Sequence, residues 1–276
     1  MDDTSIAWRP QLPVPWVAAA RGAGVEAGWA ARRLAGMPVD LAGWGLRQLT
    51  GRFAPAVSWL PPGRAEEQAV ERGTPVLLVH GLADRASVFT LLRQGLRGSG
   101  AGPVTTVGYS VLTPDIRVAA KVLGDEVEQL RARSGGQAVR VVGYSLGGLI
   151  ARYYVQRLGG DACVPLVITL GTPHGGTATA LLAPPHPLLR QLRPGSELLA
   201  ELAEPTAGCR TRFVAFYSDL DEAVIPAGRA RIDHPDLQAR SVLVHGVGHL
   251  ALPIHQPLID EICAVLAEAQ QVTPAA

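Results

Sequence analysis

The residues best suited to chemistry lie in the short segment Gly143–Gly147, which reads G-Y-S-L-G and fits the pattern G-x-S-x-G. It stands between a β-branched apolar run and a helix-like segment, the setting that the pattern requires. A turn this tight forces the serine into a strained conformation, and flanking glycines tolerate it because they have no Cβ. The Ser145 hydroxyl would then project at the carboxyl edge of a sheet, near a helix N-terminus that favours negative charge. We expect Ser145 to be a nucleophile; the alternative is a structural glycine-rich turn.

A serine hydroxyl needs a base to take its proton, and on this kind of sheet the partners follow in the order Ser, Asp or Glu, His. We favour His249 as the base, because it lies in a loop beyond the last apolar run, directly after Gly248. The alternative, His245, stands at the strand end, where a packed imidazole is more usual. Their spacing would suit a metal pair on a helix, but the two intervening glycines make a helix improbable, so no metal is predicted.

Three acidic residues follow the preceding strand and could orient the base. We favour Asp221, since it lies deepest in the loop and the segment 224–226 can anchor it, and a triad needs a buried carboxylate that holds one imidazole tautomer. Asp219 and then Glu222 remain alternatives.

An oxyanion hole requires two preorganised donors. One should be the backbone N–H of Leu146, directly after the nucleophile. The other should come from the loop after the first strand, where Gly81 lets the chain turn close to substrate and Leu82 presents its N–H. For His80 we expect hydrogen bonds to loop backbone rather than a chemical role, although His80 and Gly81 stay candidates for substrate contact.

The elements that must position these residues alternate between short apolar runs and helix-like segments, which predicts an α/β fold with a buried, mostly parallel sheet and helices on both faces. The predicted strands are Val76–Val79, Val104–Val107, Val139–Val142, Leu166–Leu170, Phe213–Tyr217 and Ser241–His245. The predicted helices are Val88–Leu96, Asp115–Arg133, Leu146–Leu158, Leu188–Leu202 and Ile254–Ala269.

Residues 1–72 differ in composition from the rest, since all five tryptophans lie within the first 60 residues. We predict a helical N-terminal extension with a proline-rich linker, followed by a catalytic domain over 73–276. The extension either packs on that domain or contacts a lipid surface, as tryptophan and arginine beside apolar helices can. Its acidic start and interrupting charges favour neither a signal peptide nor a membrane span, so we expect a cytoplasmic or peripherally membrane-associated protein.

The amino-acid composition limits the classes of partner and cofactor that we expect. The 276 residues include 25 Lys and Arg against 24 Asp and Glu, and a chain so close to neutral is not suited to nucleic acid. The three cysteines form no CxxC pair, which favours neither a disulfide framework nor a cysteine-rich zinc site. No cofactor is predicted.

Taken together, these residues resemble the α/β-hydrolase superfamily, and within it bacterial lipases and carboxylesterases of the triacylglycerol lipase kind, over about residues 74–268. The resemblance rests on V-H-G-L ending at Leu82, the elbow G-Y-S-L-G-G, T-L-G-T-P-H-G-G-T over 169–177, and the segments Y-S-D-L-D and G-V-G-H-L. It implies a triad and an oxyanion hole formed by Ser145, Asp221 and His249 and by the backbone of Leu82 and Leu146.

Two departures from that family pattern matter. Many such lipases carry His before the elbow serine, where this chain has Tyr144, which we expect to pack beside the nucleophile. Two residues separate Asp221 from Val224 where one is common, and this keeps Asp219 open as the acid. Tyr144 and His174 complete the candidates for substrate contact.

The predicted activity is hydrolysis of carboxylic esters with apolar acyl chains through an acyl-enzyme, with residues 178–202 as a candidate lid. The sequence is compatible with a lipase and with a short-chain esterase. The alternatives are a related acyl-transfer enzyme, such as a thioesterase, phospholipase or acyltransferase, and a non-catalytic lipid-binding protein.

Overall fold

The computed structural model describes residues 73–82, 86–99, 101–109, 113–183 and 186–271. The predicted extension over residues 1–72, with its suggested lipid contact, lies outside the described residues. The described residues form one six-stranded sheet of order β2-β1-β3-β4-β5-β6, in which every neighbouring pair runs parallel. The strands are β1 Val76–Val79, β2 Val104–Val107, β3 Arg140–Tyr144, β4 Leu166–Leu170, β5 Arg212–Ser218 and β6 Gln238–Val244.

Seven α-helices are found in these described ranges, and they cover the sheet from both sides. They are α1 Thr90–Gly98, α2 Ile116–Arg133, α3 Leu146–Arg157, α4 Thr179–Leu182, α5 Pro187–Gln191, α6 Glu197–Ala203 and α7 Gln256–Gln271. Alternate residues of β1 belong to two different apolar clusters, because successive side chains of a strand point to opposite faces. One cluster includes α2 and α3, and the other includes α1 and α7. The predicted parallel α/β sheet with helices on both faces is therefore confirmed.

Local sequence explains where α2 begins and ends. The Asp115 carboxylate accepts a hydrogen bond from the Arg117 backbone N–H at 2.8 Å, which caps the helix at its start. Gly135 and Gly136 both have positive φ just past its end, where a glycine is the usual stop.

The prediction of a single helix over Leu188–Leu202 was wrong, because the structure has two helices there, α5 and α6. Pro194 lacks the N–H that an α-helix needs, and Gly195 adopts a φ of 75°. Ser196 then caps the new helix by accepting from the Leu199 N–H at 3.4 Å.

The candidate lid, residues 178–202, contains α4, α5 and most of α6. Its final helix is fixed to α2 and α3: the Arg117 guanidinium pairs with the Glu201 carboxylate, and the Tyr153 hydroxyl donates to Glu201 Oε2 at 3.0 Å. By contrast, Leu181 and Leu182 in α4 are 57% and 79% exposed. Among the described helices, none combines the length and apolar composition needed to cross a bilayer.

Candidate active site

The elbow between β3 and α3 holds Ser145 in a backbone conformation that side chains rarely adopt. Its φ is 53°, the one positive value among the described non-glycine residues. Hydrogen bonds fix the turn on both sides: the Ser145 N–H donates to the Leu170 carbonyl at 2.8 Å, and the Thr172 hydroxyl donates to the Ser145 carbonyl at 2.9 Å. Strain of this kind persists only where surrounding contacts impose it, and it is typical of functional sites.

Close backbone approaches explain the glycines of the elbow. A Cβ on Gly143 would lie 2.6 Å from the backbone of Gly148, and one on Gly147 would lie 2.1 Å from the carbonyl oxygen of Val79. A Cβ on Gly148 would lie 2.0 Å from Thr172 Oγ1. The first turn of α3 therefore rests directly on the end of β1 and on the loop after β4, which leaves no room for side chains there.

A chain of hydrogen bonds joins three of the predicted residues. His249 Nε2 lies 3.0 Å from Ser145 Oγ, and His249 Nδ1 lies 2.9 Å from Asp221 Oδ2. Because an ionised carboxylate only accepts, this second bond requires the proton on Nδ1, which leaves Nε2 able to accept from the serine hydroxyl. The His249 and Asp221 side chains are 7% and 0% exposed, so the pair is shielded from water.

The Asp221 carboxylate is buried with a full set of donors. Its Oδ1 accepts from the N–H groups of Ala223 at 2.9 Å and Val224 at 2.7 Å, while Oδ2 faces His249. A buried charge is tolerated when hydrogen bonds replace its lost water. The loop backbone thus supplies the stabilisation that keeps this carboxylate next to the imidazole.

Asp219, the alternative acid, lies in a separate and more exposed pair. Its Oδ2 is 2.8 Å from His245 Nδ1, and its Oδ1 accepts from the Gly246 N–H at 2.8 Å. The His245 and Asp219 side chains are 76% and 42% exposed. Partial burial acts to raise the pKa of Asp219, but the bonds from Gly246 and His245 outweigh it, so the pKa is lowered. The two candidate acids therefore contact different histidines, and the buried pair is the one that reaches Ser145.

Further contacts tie the acid loop to the base loop, and no sequence pattern indicated them. The Ser218 hydroxyl donates to the Val247 carbonyl, and Glu222 Oε2 accepts from the His249 backbone N–H at 3.2 Å. Glu222 thus lies beside the base and bonds its backbone. The buried Tyr144 hydroxyl donates to the His249 carbonyl at 3.2 Å, with ring centroids 5.2 Å apart, so Tyr144 packs beside the base.

The loop after β1 is held by a residue that sequence reasoning missed, Tyr109. Its hydroxyl donates to the carbonyl oxygens of His80 at 2.8 Å and Gly81 at 3.0 Å, and its ring stacks on the His80 ring at 4.5 Å. His80 Nδ1 bonds the Gly81 carbonyl at 3.0 Å, the contact with loop backbone that we expected. Leu82 follows, half-buried against the same apolar cluster as Leu146.

His174 lies in the buried part of the Gly-Thr-Pro-His segment. His174 is 5% exposed, and its Nε2 is 3.0 Å from Thr169 Oγ1. Burial, assisted by the nearby Arg152 guanidinium, lowers the pKa of His174 well below its ordinary value. A neutral ring with so little exposed surface is better suited to holding the loop than to contacting substrate, and its predicted contact stays a prediction.

Within the ranges that the structure describes, no group of three or more His, Cys, Asp or Glu side chains is arranged to hold a metal ion.

The sequence model of one protein family, palmitoyl protein thioesterase, matches residues 75–228, which is more than half of the chain. The chain belongs to the palmitoyl protein thioesterase family. The matched region runs from β1 to just beyond the loop that carries Asp221, and it includes the elbow serine; His249 lies downstream of it. The family's name includes thioesterase, one of the alternatives that the sequence leaves open.

Solved structures of lipases share the fold of this palmitoyl protein thioesterase family member. The mature lipase BlEst2 of Bacillus licheniformis is 18% identical, with 68% of this chain and 92% of that chain covered and a TM-score of 0.56. Lipase B of Aspergillus fumigatus is 18% identical over 71% of this chain and 52% of that chain, with a TM-score of 0.58. A Listeria innocua gene product is 17% identical over 69% of this chain and 92% of that chain, with a TM-score of 0.53. The predicted α/β-hydrolase fold and superfamily are confirmed.

Proposed function

We propose that the protein is a serine hydrolase that cleaves carboxylic esters of apolar acyl chains through an acyl-enzyme on Ser145. The observation that carries this proposal is the hydrogen-bond chain from Asp221 through His249 to Ser145 at a strained elbow. Membership of a family of acyl hydrolases supports it.

In the first step Ser145 Oγ attacks the carbonyl carbon while His249 Nε2 takes the hydroxyl proton. The imidazolium that forms is stabilised by the Asp221 carboxylate at Nδ1. The carbonyl oxygen becomes negative and is bound by the N–H groups of Leu82 and Leu146. Leu146 is the first residue of α3, where helix N–H groups lack intrahelical partners and the dipole favours an anion.

Collapse of this intermediate breaks the bond to the leaving group, which takes the proton from His249, and leaves the acyl group on Ser145. Water then repeats the sequence: His249 removes a proton from the attacking water, and the second tetrahedral intermediate collapses to release the acid and the serine hydroxyl. Each proton that the base takes is returned, so the enzyme ends as it began.

The apolar surroundings favour an apolar acyl group. Leu82 and Leu189 are half-buried against a cluster that also contains Leu146, Leu188 and Leu192. Apolar side chains beside the elbow and the loop after β1 favour a hydrocarbon acyl chain.

Thioester hydrolysis is the second candidate, and the family's name favours it. The same nucleophile, base and donors would serve, because ester and thioester share the acyl carbonyl and differ in the leaving atom.

The test compares oxygen esters and thioesters with matched acyl chains of increasing length, using wild type, Ser145→Ala and Ser134→Ala. Ser134 lies at the C-terminal end of α2 and serves as a serine control. We expect Ser145→Ala to lose at least about 10³-fold in kcat and Ser134→Ala to match wild type. Unchanged turnover in Ser145→Ala would refute the mechanism, and the ratio of kcat/KM for thioester over ester would choose between the two substrates.

For residues 1–72 we keep both predicted roles, packing on the catalytic domain and contact with lipid at a membrane surface, and the second can be tested. Trp16→Ala and Trp29→Ala in the full chain should weaken sedimentation with anionic phospholipid vesicles and leave hydrolysis of a short, soluble ester unchanged. Equal sedimentation of variant and wild type would contradict the contact.

A further inference from the structure

The loop that would supply the second oxyanion donor is anchored from one side by a single tyrosine. Tyr109 follows β2 and is buried. Its hydroxyl lies 2.8 Å from the His80 carbonyl oxygen and 3.0 Å from the Gly81 carbonyl oxygen. Since both oxygens only accept, the tyrosine O–H is the donor that they share.

A second donor reaches the same carbonyl. His80 Nδ1 lies 3.0 Å from the Gly81 oxygen, and because a carbonyl cannot donate, this contact requires the proton on Nδ1. The Tyr109 ring stacks on this imidazole with an angle of 15° between the planes, which keeps the ring in place. The Gly81 carbonyl therefore accepts from both aromatic residues, and its direction is fixed.

Fixing a carbonyl also fixes the N–H that follows it. In a trans peptide the C=O of one residue and the N–H of the next point in opposite directions, because the unit is planar. The peptide between Gly81 and Leu82 is trans. When Tyr109 holds the Gly81 oxygen on its own side, the Leu82 N–H must point to the opposite side of the loop.

The elbow limits the loop as well. A Cβ on Gly147 would lie 2.6 Å from the His80 carbonyl oxygen, so this part of the loop lies against the first turn of α3, directly beyond Ser145 and Leu146. The loop is thus confined between the elbow and Tyr109.

We propose that Tyr109 is a positioning residue that preorganises the oxyanion hole by fixing the peptide of Gly81 and Leu82. This inference rests on the proposed function, since it concerns the same site. In this role the hydroxyl acts through the direction of the Leu82 N–H and not on the reacting atoms themselves. An oxyanion donor held in place before reaction needs no reorganisation as charge develops, so its loss affects the tetrahedral state more than substrate binding.

The test uses Tyr109→Phe, which keeps the stacked ring and removes the hydroxyl. We expect kcat to fall about 10-fold, because the donor remains but is less well fixed, whereas direct removal of a donor costs about 10²–10³-fold. KM should stay within about 2-fold. The affinity for an acyl trifluoromethyl ketone, which forms a tetrahedral adduct with Ser145, should fall by the same factor as kcat.

Tyr154→Phe is the matched control. Tyr154 is also buried, and its hydroxyl contacts Cys163 Sγ at 3.4 Å, away from the oxyanion loop. This variant should keep wild-type kcat and ketone affinity even if its melting temperature falls. A merely structural role for Tyr109 would make the two variants alike. If Tyr109→Phe does not fold, 3-fluorotyrosine placed at position 109 keeps a hydroxyl donor and should retain at least wild-type kcat; a 10-fold loss there would overturn the inference.

The possible failures are distinguishable. If the wild type forms no adduct at Ser145 and hydrolyses neither substrate class, the proposed function fails and the role of Tyr109 fails with it. If the wild type forms the adduct and Tyr109→Phe has unchanged kcat and ketone affinity, the role of Tyr109 alone is refuted. A fall in kcat without a matching fall in ketone affinity would also refute it.

Discussion

Exchanging the two candidate acids for asparagine, one at a time, tests the assignment of the triad most directly. Asp221→Asn places an amide in a site with no exposed surface, where the carboxylate accepts from three donors. If the amide NH2 group faces His249, the imidazole must present a lone pair at Nδ1 and carry its proton on Nε2. That tautomer cannot take the serine proton.

The opposite amide orientation is also costly. The amide oxygen would then face the imidazole, and the NH2 group would face the N–H groups of Ala223 and Val224, donor against donor. Two buried donors would lose their acceptor at about 1–3 kcal/mol each, or about 2–6 kcal/mol together. At about 1.4 kcal/mol per tenfold, this cost corresponds to a loss of about 30-fold to about 2 × 10⁴-fold. Asp221→Asn should therefore lower kcat by at least about 30-fold, and by about 10⁴-fold where the wrong tautomer is held.

Asp219→Asn changes an exposed contact with His245, and its amide oxygen can still accept from the Gly246 N–H. Exposed ion pairs contribute about 0–1 kcal/mol, so kcat should stay within about 5-fold of wild type. The assay is hydrolysis of a short p-nitrophenyl ester above KM, with melting temperatures measured by circular dichroism to confirm folding of both variants. A larger loss in Asp219→Asn than in Asp221→Asn would move the acid to Asp219 and refute this reasoning.

Three other outcomes follow from the structure. Gly147→Ala should lower the melting temperature and the activity sharply, because its Cβ would lie 2.1 Å from a carbonyl oxygen of β1. Gly98→Ala is the control and should be neutral, because the space around Gly98 is open. Equal melting temperatures of the two variants would contradict the close approach. Since the folded-state pKa of His174 is lowered, the unfolded chain binds more protons below about pH 6.5, so stability should fall as pH drops from about 6.5 toward the folded-state pKa. Urea unfolding of His174→Gln between pH 7 and pH 5 should show a shallower loss than wild type, and an equal slope would refute that contribution. Leu181→Ser with Leu182→Ser should reduce turnover of emulsified long-chain ester more than that of a soluble short-chain ester, and equal effects on both would argue against a role for α4 in lipid access.

Much of the fold could be predicted because the chain's local patterns agree with its tertiary structure. The apolar runs of β1 and β4 lie inside the sheet and are buried on both faces, so both strands were predicted with their observed bounds. The edge strand β2 is only partly buried, but its four residues are all β-branched, and its bounds were also predicted as observed. Asp115 and the glycines 135 and 136 marked α2 because capping chemistry is local. The division into α5 and α6 was missed because the apolar spacing continues past Pro194, and the prediction relied on that spacing alone.

Of the candidate site, too, one part was predictable from the sequence and another was not. Ser145 lies in a motif whose geometry is set by neighbours in sequence, so the structure of its turn was predictable. The choice between Asp219 and Asp221 depends on which histidine each one meets, and those contacts join two loops that sequence cannot orient. Tyr109 was missed because its contacts cross 28 and 29 residues. Its place at the carboxyl end of β2, the edge where the other site loops gather, was the available hint.

The Ser145–His249 bond spans 104 residues of sequence, and this has a consequence for how the enzyme becomes competent during folding. The base follows β6, an edge strand that pairs with β5 alone among the described strands, so it is positioned only when this edge strand has joined the sheet. Contacts of such long range form late, because the chain loses entropy in closing the loop before it gains the contact. A folding intermediate with the elbow and β1 to β4 complete would already hold the nucleophile yet have no base. A chain at that stage would have no imidazole to take the serine proton, so hydrolysis would begin only when β6 and the loop after it are in place.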